Sequence, residues 1–339
     1  MDSGAARERE GALARMFGDV GLFSHGLWPE RTLRPYQEEV ARAIVESVRG
    51  GLGRQFAVVF ARQAGKDELL AQTIAYLLNL YRHEGGSIVV AAPTFRPQSL
   101  IARSRLLDRL DNPLNRHYPP RPVADAGYIV ALGRASARFL SAGPAANVRG
   151  ETASLLLVCN EAQDVEPERW DAAFDPMAAS TNATTVFSGT VWSDRTLLAR
   201  QMRHLRALER ADGARRVFTV PWTRVAADLP AYGERVRARI AQFGRDHPFI
   251  RTEYELQELA GAGGLFTPAR QAQLRGDHPR QRRATPGHLY ALLIDVAGED
   301  DDLAALPDDG ALARAGRRDS TALTVVEVLG ESGGRVVGL

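Results

Sequence analysis

The apolar run Phe56-Ala57-Val58-Val59-Phe60 passes directly into Ala61-Arg62-Gln63-Ala64-Gly65-Lys66-Asp67, and residues 68–81 then carry apolar side chains at helical spacing. A short run without polar alternation predicts a strand buried on both faces, and such strands belong to parallel sheets covered by helices on either side. A second apolar run, Ser87 to Ala92, follows the helix. Strand, helix and strand in this order make a βαβ unit, which dictates an α/β architecture with a mainly parallel central sheet.

The remaining pattern extends that sheet. Further strands are expected at Tyr128–Leu132, Ala137–Ser141, Leu155–Cys159, Thr185–Ser188 and Arg216–Val220. A helix is expected after Pro35, with Val40, Ile44, Val45 and Val48 on one face, and an Arg-rich amphipathic helix over Thr196–Arg210 whose charged face is read as solvated. Residues 1–30 are polar and Gly-punctuated and read as an N-terminal arm; residues 31–260 form the main domain; the Gly/Arg/Pro-rich stretch 261–287 reads as a linker; residues 288–339 open a second domain. One strand and part of a hairpin cannot bury a core alone, so the expectation is that this second domain is incomplete as given.

Composition excludes some classes of function. The formal net charge is +2, too small for a basic coat over the whole surface, although a local basic patch is compatible with it. No stretch of eighteen apolar residues is present to span a membrane, and the charged N-terminus lacks the apolar segment of a signal peptide. The single cysteine, Cys159, excludes an internal disulfide and a cysteine-based metal site. Lys66 is the only lysine among 43 basic side chains. A coding bias towards arginine would replace lysine wherever arginine serves, which marks Lys66 as a position where it does not.

The chemistry concentrates at two strand ends. Backbone N–H groups of a loop between a strand and a helix converge on phosphate, and the helix N-terminus adds partial positive charge. Gln63, Ala64, Gly65 and Lys66 stand in that loop, with Lys66 placed to reach β- and γ-phosphates as a compact charge. The general pattern, G-x-x-x-x-G-K-[S/T], has Phe60 in place of its first glycine and Asp67 in place of its hydroxyl residue. The second strand end is Leu155-Leu156-Leu157-Val158-Cys159-Asn160-Glu161-Ala162-Gln163. Glu161 occupies the position of a water-activating carboxylate, and Asn160 stands where a Mg²⁺-binding aspartate is usual. The two departures conserve net charge when taken together: Asp67 is expected to supply the oxyanion for Mg²⁺, and Asn160 to orient a metal-bound water.

Together these segments resemble the large subunit of tailed-phage terminases, a packaging ATPase joined to an RNase H-like nuclease, from about Leu33 to the end of the chain. Ala61-Arg62-Gln63-Ala64-Gly65-Lys66 is similar to that family's R-Q-x-G-K loop, which commonly lacks the first glycine. Leu33-Arg34-Pro35-Tyr36-Gln37 resembles its adenine-contacting segment, with Gln37 as the reader. Asn147-Val148-Arg149-Gly150 resembles a V-R-G segment and implies that Arg149 is an arginine finger. Glu161-Ala162-Gln163 matches its E-A-Q, and Ser188-Gly189-Thr190 resembles the coupling motif that senses the γ-phosphate through Thr190.

The resemblance implies a three-layer, RecA-like P-loop domain that hydrolyses ATP with Mg²⁺ to move double-stranded DNA. It implies work as a ring on a portal protein, with a small terminase subunit, on procapsids in the host cytoplasm. Leu292-Leu293-Ile294-Asp295-Val296-Ala297-Gly298 resembles the opening strand of the nuclease, with Asp295, and Asp319 as a second candidate, as ligands for a divalent metal. Later acidic residues of that site would lie beyond Leu339, so DNA cleavage is not expected. Two other readings stay open. Ala91-Ala92-Pro93-Thr94-Phe95-Arg96-Pro97-Gln98 also resembles a DNA-contacting helicase loop, although no second set of nucleotide-binding strands follows Thr190. Asn160 and Asp67 are also compatible with a non-catalytic nucleotide-binding remnant.

Overall fold

The computed structural model describes residues 3–144, 146–148, 150–258, 283–295, 322–328 and 334–338. These fall into two units, residues 1–268 and 269–339. The first is built on eight strands: β1 (Gln55–Phe60), β2 (Gly86–Ala92), β3 (Pro122–Asp125), β4 (Ile129–Leu132), β5 (Ala135–Ser141), β6 (Leu156–Asn160), β7 (Thr184–Gly189) and β8 (Val217–Val220). They form one sheet in the order β3-β4-β5-β2-β6-β7-β1-β8. The pairings from β5 to β8 are all parallel, and only the β3–β4–β5 edge is antiparallel.

Side chains of adjacent residues point to opposite faces of a strand, and the burial pattern follows that period of two. Phe56, Val58 and Phe60 of β1, Ile88 and Val90 of β2, and Leu156 and Val158 of β6 enter one apolar cluster. Ala57 and Val59, Val89 and Ala91, and Leu157 and Cys159 enter another. Helices α3 (Pro35–Arg49), α4 (Lys66–Leu80) and α5 (Leu100–Leu110) cover the first face. The second face packs on Trp170 and Phe174 and on the helix Leu197–Asp212 through Leu198, Met202 and Leu205. The protein therefore has the three-layer α/β fold with a mostly parallel sheet that its uninterrupted apolar runs require.

The N-terminal segment differs from a free arm. Helices α1 (Ser3–Gly18) and α2 (Val20–Leu27) precede α3, and Val20, Phe23 and Trp28 belong to the core cluster. Phe23 is fully buried, with its ring edge-on to Tyr76 of α4 at 5.1 Å. The Tyr76 hydroxyl donates to the Phe17 carbonyl at 2.6 Å. Burying a phenylalanine contributes about 1.5–3 kcal/mol relative to leaving it in water, so this segment is part of the domain.

The linker expected over 261–287 lies mostly outside the described residues. In the second unit, β9 (Leu289–Asp295), β10 (Ala322–Val328) and β11 (Gly334–Gly338) form an antiparallel sheet in the order β11-β10-β9. Asp295 is the last residue of β9 and stands opposite Ala322 in the register. Asp319 and Arg149 lie outside the described residues.

Candidate active site

A parallel sheet gathers the C-terminal ends of its strands along one edge, and ligands of such folds bind there. Here the order β6-β7-β1 sets three loops side by side: the Gln63–Lys66 loop after β1, Glu161 after β6, and Thr190 after β7 between them. They line a cleft of about 720 Å³, together with Asp164, Trp192, Glu253 and four arginines, Arg31, Arg62, Arg105 and Arg109.

The loop is held from both sides of the sequence. The Tyr36 hydroxyl donates to the Ala64 carbonyl at 2.8 Å, and Gln37 Nε2 donates to the Gly65 carbonyl at 2.8 Å. From the far end of the domain, the Tyr232 hydroxyl donates to the Arg62 carbonyl at 2.8 Å, and the Arg62 N–H donates to the Glu253 carbonyl at 2.8 Å. Gly65 caps α4 in the left-handed region, at φ 86°, and a Cβ there would fall 2.6 Å from Gln37 Nε2. Conformation and close approach both demand glycine. Gly65→Ala is accordingly expected to destabilise the domain by about 1–3 kcal/mol, measured as a shift of the urea midpoint; an unchanged midpoint would contradict the close approach.

Lys66 and Glu161 meet across the cleft. Lys66 Nζ donates to Glu161 Oε1 at 2.8 Å, and Gln163 Nε2 donates to Glu161 Oε2 at 2.7 Å. Gln163 Oε1 in turn accepts the Thr190 N–H at 3.2 Å. One amide thus joins the carboxylate after β6 to the turn after β7. That approach needs Gly189, where a Cβ would stand 2.1 Å from Gln163 Oε1. Glu161 holds a left-handed backbone, φ 54°, as does Gln63, φ 62°. For side chains with a Cβ this conformation costs about 1–3 kcal/mol and persists where surrounding contacts over-determine it.

The charge state of Glu161 is set by opposing effects. Burial pushes its carboxyl up, but Lys66, the Gln163 hydrogen bond and Arg62 outweigh it and hold the group below the usual range. Burial and then the Glu161 charge push Asp164 the other way.

Two expected residues sit differently. Gln37 is 1% exposed and does not line the cleft; its Oε1 accepts the Arg34 N–H at 2.8 Å, capping α3, while its Nε2 donates to the Gly65 carbonyl and braces the loop. Asn160 is 6% exposed and also stands outside the lining. Its Oδ1 accepts the Ser188 hydroxyl at 2.9 Å, which ties β6 to β7. The amide oxygen of Asn160, expected to orient a metal-bound water, is thus engaged by Ser188. The countercharge to Asp67 is Arg105 of α5, whose Nη1 approaches Asp67 Oδ2 at 2.5 Å. Behind this pair Arg109 Nε stands 3.0 Å from Glu68 Oε1. The sequence reading missed both arginines. Their one signal is the spacing of four that places them on one face of a helix.

Whether the cleft suits a divalent cation is a question of donor chemistry. Among the described residues no group of three His, Cys, Asp or Glu side chains forms a metal cluster. A nucleotide-borne Mg²⁺ needs only one or two carboxylates, because phosphate and water oxygens complete its shell. Asp67, in the first turn of α4 beside Lys66, meets that requirement.

No protein-family model matches the chain, and no curated protein sequence does. Solved structures do. The large terminase of bacteriophage HK97 superposes with a TM-score of 0.51 at 16% identity, over 90% of this chain and 62% of that one. The ATPase domain of the Thermus phage P74-26 large terminase gives 0.49 at 17% identity, over 61% of this chain and 89% of that one. The large terminase of a thermophilic bacteriophage, in complex with ADP, gives 0.49 at 11% identity, over 66% of this chain and 53% of that one. At these identities the likeness is one of fold. The chain shares the three-layer α/β fold, with its mostly parallel sheet, with the HK97 large terminase, and it spans about three-fifths of the length of that protein.

Proposed function

We propose that the chain is the ATP-hydrolysing motor of a phage terminase large subunit, coupling turnover to movement of double-stranded DNA. The observation that carries this reading is the Lys66–Glu161 contact at 2.8 Å across a cleft at the C-terminal edge of the parallel sheet. With no phosphate present, the two charges neutralise each other. A triphosphate competes for Lys66, and its departure removes the largest influence that lowers the Glu161 carboxyl. The burial of Glu161 then raises its basicity, so phosphate binding and activation of the base are one event. Glu161 would accept the proton of the attacking water at a carboxylate oxygen.

Lys66 and the loop N–H groups would hold the phosphates, and Asp67 would hold a Mg²⁺ that neutralises phosphate charge. Gln163 would carry the state of Glu161 to Thr190 and so to the loop after β7. Arg149 is retained as the proposed arginine finger, and Asp295 and Asp319 as proposed metal ligands of a nuclease. Portal protein, small subunit, ring assembly and a place on the procapsid in the host cytoplasm belong to the same proposal. Among the described residues no helix is long and apolar enough to cross a membrane.

The test is phosphate release from ATP with and without linear duplex DNA. A motor is expected to hydrolyse ATP faster when duplex is added. Nucleotide binding with no hydrolysis under either condition would overturn the motor and leave a binding remnant. Unwinding of a forked duplex would replace it with a helicase.

A further inference from the structure

Asp67 is the feature that the general phosphate-loop pattern does not explain. It adds a negative charge beside Lys66, in a cleft whose proposed ligand is itself strongly negative. The first turn of α4 favours a carboxylate electrostatically, yet a bare one would repel a triphosphate. Two consecutive acids of α4 face two arginines one helical turn apart on α5, and the two pairs are not equivalent. In the inner pair the Arg109 side chain is 8% exposed against Glu68 at 27%. In the outer pair Arg105 and Asp67 are 42% and 35% exposed. The inner pair joins the more buried arginine of α5 to α4. The outer pair is open to water, where an ion pair contributes little and exchanges partners readily. All four side chains border the cleft, and the outer pair is the more exposed.

We propose that Asp67 and Arg105 form an exchangeable pair that makes the site selective for metal-bound nucleotide. Without a divalent cation Arg105 neutralises Asp67 and is withheld from the phosphates. When nucleotide arrives with its cation, Asp67 turns to the metal, and Arg105, with its planar fork of donors, is released to the phosphate oxygens. Arg109 stays with Glu68, so the exchange needs no movement of α5. This inference rests on the nucleotide-site reading, with Asp67 as the Mg²⁺ ligand, and adds the exchange with Arg105 that the reading alone does not require.

The experiment is equilibrium titration of the full chain with a fluorescent N-methylanthraniloyl derivative of ADP, in EDTA and in excess Mg²⁺. In EDTA, Asp67→Asn is expected to bind about tenfold tighter than the unmodified chain, because Arg105 is freed. Arg105→Gln is expected to bind about tenfold weaker, because Asp67 is left bare. In Mg²⁺ the unmodified chain gains affinity, Asp67→Asn gains less, and Arg105→Gln stays weaker. Arg105→Lys is expected to recover part of the loss, which a purely structural salt bridge between helices would not require. Equal affinities of Asp67→Asn and the unmodified chain in EDTA would overturn the exchange while leaving the nucleotide site intact. No binding by the unmodified chain in either buffer would overturn the nucleotide site itself. Thermal unfolding of each variant separates loss of fold from loss of affinity, and a variant that binds weakly only because it is unfolded counts against the exchange.

Discussion

Glu161→Gln is expected to lower ATP turnover by about two to four orders of magnitude, the range for removing a general base, while nucleotide affinity stays level or rises. The amide keeps the shape of the carboxyl and loses both its basicity and its charge. Lys66 then has no carboxylate to neutralise and is more available to phosphate. The two readouts must therefore part: turnover collapses and binding does not. Loss of both together would mean that Glu161 shapes the cleft and performs no proton transfer. The same variant carries a pH signature. A carboxyl held below its ordinary pKa in the folded protein contributes stability that is present above the unfolded value and lost as pH falls through the folded one. The unmodified chain should therefore show an acid-sensitive part of its stability, in the window below the ordinary glutamate range, that Glu161→Gln lacks.

The parts of the structure that are legible in the sequence are those governed by local pattern. β1 and β6 are unbroken apolar runs, and a strand covered on both faces cannot be written otherwise. The loop between β1 and α4 can be read because Gly65 and Lys66 stand where a strand gives way to a helix. What escapes is set by contacts distant along the chain. Arg105 reaches Asp67 across 38 positions, and neither residue announces the other. Phe23 sits in a short, Gly-punctuated segment and becomes core where Phe17, Trp28 and the distant Tyr76 pack around it. Gln37 carries an amide that a base-reading role would suit equally well; its burial against Gly65 emerges only once α3 lies on the loop. Asn160 illustrates the limit of reading by position. Its place as the last residue of its strand points to the cleft, whereas it lies on the same face as Leu156 and Val158 by the period of two. Its neighbour there is Ser188, and a hydroxyl across a strand pair is invisible to spacing alone.

Lys66→Arg keeps the charge and is nonetheless expected to cut turnover by about a hundredfold, comparable to losing an electrostatic contact to the reacting group. The Lys66 side chain is 11% exposed, so little space surrounds its tip. A guanidinium is larger and planar, and it matches a carboxylate with two parallel hydrogen bonds where an ammonium makes one. Facing Glu161, it would form the stronger pair and compete with phosphate for both groups. The cost should appear in affinity as well as in turnover, which distinguishes it from Glu161→Gln. Lys66→Ala gives the contrast: it removes the largest influence that lowers the Glu161 carboxyl and leaves only the Gln163 hydrogen bond and Arg62 to oppose burial. If phosphate chemistry fixes lysine at this position, both variants fail, and arginine fails by holding Glu161 too well. If Lys66→Arg keeps turnover within about threefold, the point-charge argument is wrong, and the one lysine among 43 basic residues is an accident of coding bias rather than a mark of function.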